Sequence, residues 1–175
     1  GVGAVASQAY ADPRLIPQAL HLLRNGRTPA ETLVALARID PYFGYRQIGL
    51  VDARGDSAAH TGAKAAPWKG HLCGTGYVAM ANCLAGGNTV AAIAEGFLAE
   101  PERDLEERLL MGLEAGKAAG GQSPPMNERS AALIVYEHED YARVDLRVDV
   151  HIDAIAELRR AYEAYLPYVP LYYEL

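Results

Sequence analysis

The strictest alternation of hydrophobic and polar positions runs from Ala142 to His151 and predicts a β-strand. Successive side chains of a strand point to opposite sides, so one face is apolar and the other ionisable. The apolar set is Val144, Leu146, Val148 and Val150, and the ionisable set is Asp145, Arg147, Asp149 and His151. The ionisable row is either a solvated face with weak ion pairs, or the polar floor of a cleft in which an arginine fixes two carboxylates for binding or catalysis.

The same patterns predict the other elements of the chain. Strands are predicted over residues 1–9, 45–52, 57–61, 77–83 and 130–137, and helices after Asp12, Thr28, Asn88, Asp104 and Asp153. Residues 62–74 are predicted to be a loop. Prolines 167 and 170 are expected to stop the last helix, which leaves residues 166–175 as a Tyr- and Pro-rich tail. We expect Tyr168, Tyr172 and Tyr173 of this tail to pack on a neighbour or a second subunit.

The order of the elements predicts an α/β fold. Most strands are joined as hairpins, which favours largely antiparallel sheets, and helix pairs lie between the hairpins. This order predicts two sheets face to face with helices outside each, a four-layer αββα sandwich formed by a single domain over residues 1–165. Small residues in the strands fit two closely packed sheets. They are Ala4, Ala6, Ala58, Ala59, Ala79, Ala81, Ala131 and Ala132.

Composition excludes several classes of function. The net charge of −6 and the pI near 5.3 argue against nucleic acid as a partner. No apolar run reaches the roughly 20 residues that cross a bilayer, so we expect no membrane partner. The cysteines, Cys73 and Cys83, are expected to be free, buried thiols in a reducing compartment, which indicates the cytoplasm. No cluster has metal-ligand spacing and no glycine motif has a dinucleotide-binding context, so we expect no metal and no cofactor.

Polar side chains near the ends of several predicted strands are candidate substrate-binding residues. Rigid scaffolds present chemistry at such positions, although capping or turn formation explains each residue taken alone. The candidates are Gln8, Asp12, Thr61, Asn82 and Ser130, with His71 in a glycine-rich loop.

Several segments together resemble the DUF1028 family, an uncharacterised group assigned to the N-terminal-nucleophile (Ntn) hydrolases. The resemblance runs from Gly1 to about residue 165. Its segments are GVGAVASQ at 1–8 with DPR at 12–14, YRQIGLVD at 45–52 with TG at 61–62, NCLAG at 82–86, LEAGKAAGG at 113–121, RSAA at 129–132, VDLRVD at 144–149 and ELRR at 157–160.

The resemblance implies the αββα sandwich and an N-terminal hairpin ahead of the segment that matches Gly1. It also implies that a Thr, Ser or Cys at the mature N-terminus is the nucleophile, with its own α-amine as base. Gly1 has no side chain, so we expect the nucleophile upstream, on a segment that this chain lacks or that another chain supplies. The first hypothesis is an Ntn-type amidohydrolase acting on a small amide, in which Asp145, Arg147 and Asp149 bind or orient substrate. The alternative is a non-catalytic ligand-binding or assembly protein, and in either case we expect a homo-oligomer.

Overall fold

The computed structural model describes residues 1–125 and 127–173, with side chains over 1–125 and 127–171. The strands are β1 (Gly3–Ala9), β2 (Arg46–Asp52), β3 (Ser57–Thr61), β4 (Gly70–Gly74), β5 (Tyr77–Ala81), β6 (Ala131–Tyr136) and β7 (Ala142–Val148). The helices are α1 (Leu15–Arg24), α2 (Pro29–Ile39), α3 (Thr89–Leu98), α4 (Leu105–Ala118), α5 (Ala154–Tyr165) and α6 (Val169–Tyr173). These elements confirm a mixed α/β fold with antiparallel strands, in three small sheets ordered β1–β2–β3, β4–β5 and β6–β7.

Helices α1 and α2 cover one face of the first sheet. Ile48 and Leu50 of β2 point to that face and are almost fully buried in a core completed by Leu15, Ala19, Leu23 and Leu36. A capping box starts α2 at the predicted position after Thr28. The Thr28 side chain accepts from the backbone N–H of Glu31, and the Glu31 side chain accepts from the backbone N–H of Thr28.

The β4–β5 hairpin stacks on the opposite face of the first sheet. Gly49 makes this close approach possible, since a Cβ at this position would lie 2.9 Å from Cγ1 of Val78 and 3.2 Å from Sδ of Met80. The Ser57 hydroxyl also donates to the carbonyl of Gly74 across the gap. The other face of this hairpin packs on α3 through Ala79, and its core includes Leu84, Val90 and Ala94.

The β6–β7 hairpin forms a sheet of its own that packs on α4 and α5. The alternation predicted for β7 is present, and its inward residues join a core of Leu110, Leu133, Val135, Val144, Leu158 and Tyr162. The opposite row is solvated: the side chains of Arg147 and Asp149 are 71% and 75% exposed, and they pair at 3.2 Å. Val150 lies beyond the end of β7 and is 81% exposed. In the described residues this row is a solvated face, not the floor of a cleft.

Two predicted boundaries differ from the structure. The predicted loop 62–74 contains the strand β4. The sequence does not predict this strand because it begins and ends with glycine and has no long apolar run. Asp12 does not cap α1, since its carboxylate is held by the backbone N–H and guanidinium of Arg14 and the helix begins only at Leu15.

The tail also differs from the prediction. Helix α5 ends at Tyr165, but a 3-10 turn (Leu166–Tyr168) and α6 follow it. Pro167 and Pro170 are each the second residue of their element, a position where a missing N–H costs no helical hydrogen bond. Tyr168 is 55% exposed. The side chains of Tyr172 and Tyr173, and the last two residues of the tail, lie outside the described part of the structure.

None of the helices in the described residues is both long and apolar enough to span a bilayer.

We predict that Gly49→Ala destabilises the protein by about 1–3 kcal/mol, the usual cost of overpacking a closely packed interior. The added methyl group would clash with Cβ and Cγ1 of Val78, which are the near end of a stiff side chain. Urea unfolding measures the effect. The control is Gly86→Ala, where a Cβ would contact nothing. Equal unfolding midpoints for the two variants would contradict the stacking of β4–β5 on β2.

Candidate functional site

Five polar side chains from five strand ends meet between the first sheet and the β4–β5 hairpin. Strand register places Gln8 opposite Gln47, and Gln47 opposite Thr61. The stacking of the hairpin brings His71 of β4 and Asn82, which follows β5, to the same end. We call these five residues the strand-end cluster. Four of the candidates named from the sequence, Gln8, Thr61, His71 and Asn82, therefore belong to one site.

Gln47 is the centre of the strand-end cluster and is completely buried. Its Nε2 has three acceptors: Thr61 Oγ1 at 2.8 Å, the Gly70 carbonyl at 2.9 Å and the Ala81 carbonyl at 3.0 Å. Its Oε1 accepts from Gln8 Nε2 at 2.6 Å and from Asn82 Nδ2 at 3.1 Å. One buried carboxamide thus joins β2 to β3, β4 and β5, and to side chains from β1 and from the residue after β5. Buried polar groups are tolerated only when they are bonded in this way.

His71 extends the strand-end cluster to the surface. Its Nδ1 lies 2.8 Å from Oγ1 of Thr61, which also accepts a hydrogen bond from the Gln47 amide. Burial lowers the pKa of His71 below the ordinary 6.5, and the nearby His60 lowers it further. The neutral ring that results can accept the Thr61 hydroxyl proton at Nδ1, which leaves Nε2 as the protonated nitrogen.

Backbone strain accompanies the strand-end cluster. Ala9 and Cys83 have φ angles of +65° and +56°, and they are the positive-φ residues other than glycine in the described chain. Each directly follows a member of the cluster, Gln8 and Asn82 respectively. The left-handed region costs an ordinary residue roughly 1–2 kcal/mol, and such residues concentrate at functional sites.

Asp12 belongs to a second cluster on the helix-covered face of the same strand end. Arg46 is 4% exposed and donates to Asp40 through Nε at 2.8 Å and Nη2 at 3.2 Å, with Asp12 at 3.8 Å. The hydrogen bonds from Arg46 lower the pKa of Asp40. Those from Arg14 lower the pKa of Asp12 to about 2. This cluster is internally neutralised, so it fixes the strand end rather than attracting a charged ligand.

The remaining predicted residues lie elsewhere. The β6–β7 hairpin carries Asp145 and Arg147 on β7, and Asp149 directly follows that strand. Ser130 is exposed just before β6. Cys73 was expected to be buried but is exposed, because β4 is an edge strand; Cys83 is half-buried, and both thiols are free.

Sequence reasoning missed Gln47, the centre of the cluster. A signal was present, since Arg46 and Gln47 are polar residues in a strand that continues with the apolar run Ile48–Val51. Two polar residues in a buried strand require partners, and the hairpin register places Gln47 opposite Thr61.

The strand-end cluster offers neutral polar chemistry. A neutral imidazole can take up a proton, and carboxamide N–H groups can hold a carbonyl oxygen or an oxyanion. No group of three or more candidate metal ligands occurs within the residues that the structure describes.

Comparisons with known proteins give a family but no activity. A model of a family of unknown function, DUF1028, matches residues 1–158. No curated protein matches the chain. The crystal structure of protein SPO2555 from Silicibacter pomeroyi, a DUF1028 protein, is similar to 94% of this chain and 72% of that chain, at 30% identity and a TM-score of 0.84.

We predict that Gln47→Leu destabilises the protein by about 3 kcal/mol, because it leaves the carbonyls of Gly70 and Ala81 and the amides of Gln8 and Asn82 without their partner. Urea unfolding is the measurement. Gln18→Leu, on the exposed face of α1, is the matched control and should change stability by less than about 0.5 kcal/mol. A neutral Gln47→Leu would contradict the central role of Gln47.

We predict a pH dependence of stability from the lowered pKa of His71. At pH 7 the ring is mostly neutral in both folded and unfolded states. As the pH falls through 6.5, the unfolded chain binds a proton that the folded site resists, so the free energy of unfolding decreases. His71→Gln should lose less stability between pH 7 and pH 5 than the native protein, whereas Asn127→Ala, an exposed loop substitution that removes no ionisable group, should show the native loss. Identical losses in all three proteins would contradict the prediction.

Proposed function

This chain belongs to the DUF1028 family, whose function is unknown, and we propose that it is an Ntn-type amide hydrolase acting on a small amide. The observation that carries the proposal is the strand-end cluster, which combines a neutral imidazole and a half-buried carboxamide with two strained backbone positions. Its position at the end of β1 matters most, because β1 is an edge strand of the first sheet in the described residues.

The open edge of β1 supports an added strand. Two backbone hydrogen bonds lie at the ends of the β1–β2 pair: Tyr10 N–H donates to the Tyr45 carbonyl, and Ala53 N–H donates to the Val2 carbonyl. They show that the backbone groups of the even-numbered residues of β1 form the hydrogen bonds with β2. The backbone groups of Gly3, Val5 and Ser7 therefore point away from β2, toward an edge that has no strand partner among the described residues. Proteins cover or pair such edges. We propose that a strand joins β1 there and completes the four-layer αββα sandwich.

The geometry of a hairpin supports a position for the proposed nucleophile. A strand that precedes β1 and joins it through a hairpin runs antiparallel to it, so the first residue of that strand lies beside the last residues of β1. Those residues are Gln8 and Ala9, at the strand-end cluster. A Thr, Ser or Cys at the start of such a strand would face the site.

The proposed reaction uses the cluster for positioning and proton transfer. The nucleophile attacks the amide carbonyl carbon, the amine leaves with a proton, and water then releases the acid. Asn82 Nδ2 gives one N–H to Gln47, and its second N–H has no hydrogen-bond partner among the described residues, so it can stabilise the oxyanion. Nδ1 of His71 can take up a proton through the Thr61 hydroxyl during either step.

A non-catalytic ligand-binding protein is the second candidate function. The saturation of Gln47 favours it, because its oxygen and both of its N–H groups already have partners inside the protein. In that case the cluster would only stabilise the stacked sheets. A cytoplasmic location and a homo-oligomer stay predictions from the sequence.

We predict that the full-length natural protein releases amine from at least one member of a panel of small amides. Asn82→Ala should lower kcat by about 100-fold, the usual loss when one oxyanion donor is removed, with little change in KM. Asn127→Ala, at an exposed loop position, is the matched control and should keep full activity. A folded native protein that hydrolyses no amide in the panel would favour the non-catalytic alternative.

A further inference from the structure

A pocket of about 240 Å³ adjoins the strand-end cluster. Two residues connect them: His71 belongs to the cluster and lines the pocket, and Gly70 lines the pocket while its carbonyl accepts from Gln47. Its wall consists mainly of apolar side chains contributed by the β4 edge, the segment after β5 and the first turn of α3. The lining residues are Trp68, Leu72, Leu84, Val90 and Ala91, with Lys69, Gly70, His71 and Gly87.

Two large apolar side chains at the pocket are exposed. Trp68 is 62% exposed and Leu72 is 43% exposed. Exposed aromatic and aliphatic groups around a concavity, with a few polar groups, are typical of a small-molecule site. An aromatic ring fits the size, since an engineered cavity of about 150 Å³ binds benzene.

The polar groups of the pocket favour an uncharged ligand. Lys69 Nζ donates to the carbonyls of Ala63 and Ala65, at 2.5 Å each, so two of its three N–H groups hold its own loop. The lowered pKa of His71 makes its ring neutral near pH 7. The pocket therefore offers mainly apolar contacts beside a neutral imidazole, and the ammonium of Lys69 keeps one N–H that its loop does not use.

We propose that this pocket binds the aromatic ring of an uncharged amide substrate, with the amide group directed past His71 to the strand-end cluster. This inference rests on the proposed function, because it names the substrate class of that same site. Binding to the pocket can nevertheless be measured without turnover.

Trp68 provides the measurement, since it is the single tryptophan of the sequence. We predict that phenylacetamide changes the tryptophan fluorescence of the full-length protein saturably and that acetamide does not. Ala91→Leu, which fills the pocket, should raise the Kd for phenylacetamide about tenfold, equivalent to about 1.4 kcal/mol. The control Ala99→Leu, at the exposed end of α3, should leave the Kd unchanged.

A second variant guards against a folding defect in Ala91→Leu. Leu72→Ser removes apolar surface at a partly exposed position and should also weaken phenylacetamide binding, with an unchanged thermal unfolding midpoint. Equal fluorescence responses to acetamide and phenylacetamide would overturn the proposal. So would tighter binding of phenylacetate than of phenylacetamide, since that would assign the selectivity to Lys69.

Failure of the pocket and failure of the proposed function are distinguishable. If phenylacetamide binds and Ala91→Leu weakens it, but no amide is hydrolysed, the pocket stands and the hydrolase proposal fails. If amides are hydrolysed with equal kcat/KM for phenylacetamide and acetamide, the hydrolase stands and the aromatic pocket is overturned.

Discussion

The buried carboxamide of Gln47 is the constraint on which the rest of the site depends. An amide taken out of water without partners costs several kcal/mol, so each of its hydrogen bonds restricts where a neighbouring strand can end. A shift of either neighbouring strand by one residue would turn Gln8 or Thr61 to the opposite face and remove it from the amide. The same bonds to Gly70 and Ala81 fix the stacked hairpin. One side chain therefore constrains both the register of the first sheet and the stacking of the hairpin on it.

The next residue along the chain fixes the opposite face of the same strand end. Arg46 precedes Gln47 and points to the helix-covered side, where Asp40 binds it through two hydrogen bonds. Breaking a buried ion pair of this kind leaves an uncompensated charge and costs about 3–5 kcal/mol. The end of β2 is thus anchored on both faces by consecutive residues, and this rigidity can hold the strained backbone of Ala9 and Cys83.

Much of the fold was readable from the sequence because its signals are local. Alternation predicts β7, and the capping box predicts the start of α2, since both depend on residues a few positions apart. The strand β4 was missed, since its partner and its glycines, not its own pattern, make it a strand. The sequence predicts four of the five cluster residues: His71 from its glycine-rich loop, and Gln8, Thr61 and Asn82 from their positions near strand ends. The fifth, Gln47, was not predicted, because a glutamine becomes central only when three other strands supply its partners.

The charged row of β7 and the strand-end cluster show why charge alone is a poor guide to the site. Asp145, Arg147 and Asp149 attract attention in the sequence, yet exposed ion pairs contribute at most about 1 kcal/mol and their geometry is not fixed by burial. Gln8, Gln47 and Asn82 carry no charge, so they can be buried together at little cost once they bond to one another. A carbonyl oxygen of an uncharged amide requires N–H donors held in place, which a buried carboxamide network supplies and a solvated charged row does not. The chemistry proposed for this protein therefore follows from the neutral cluster.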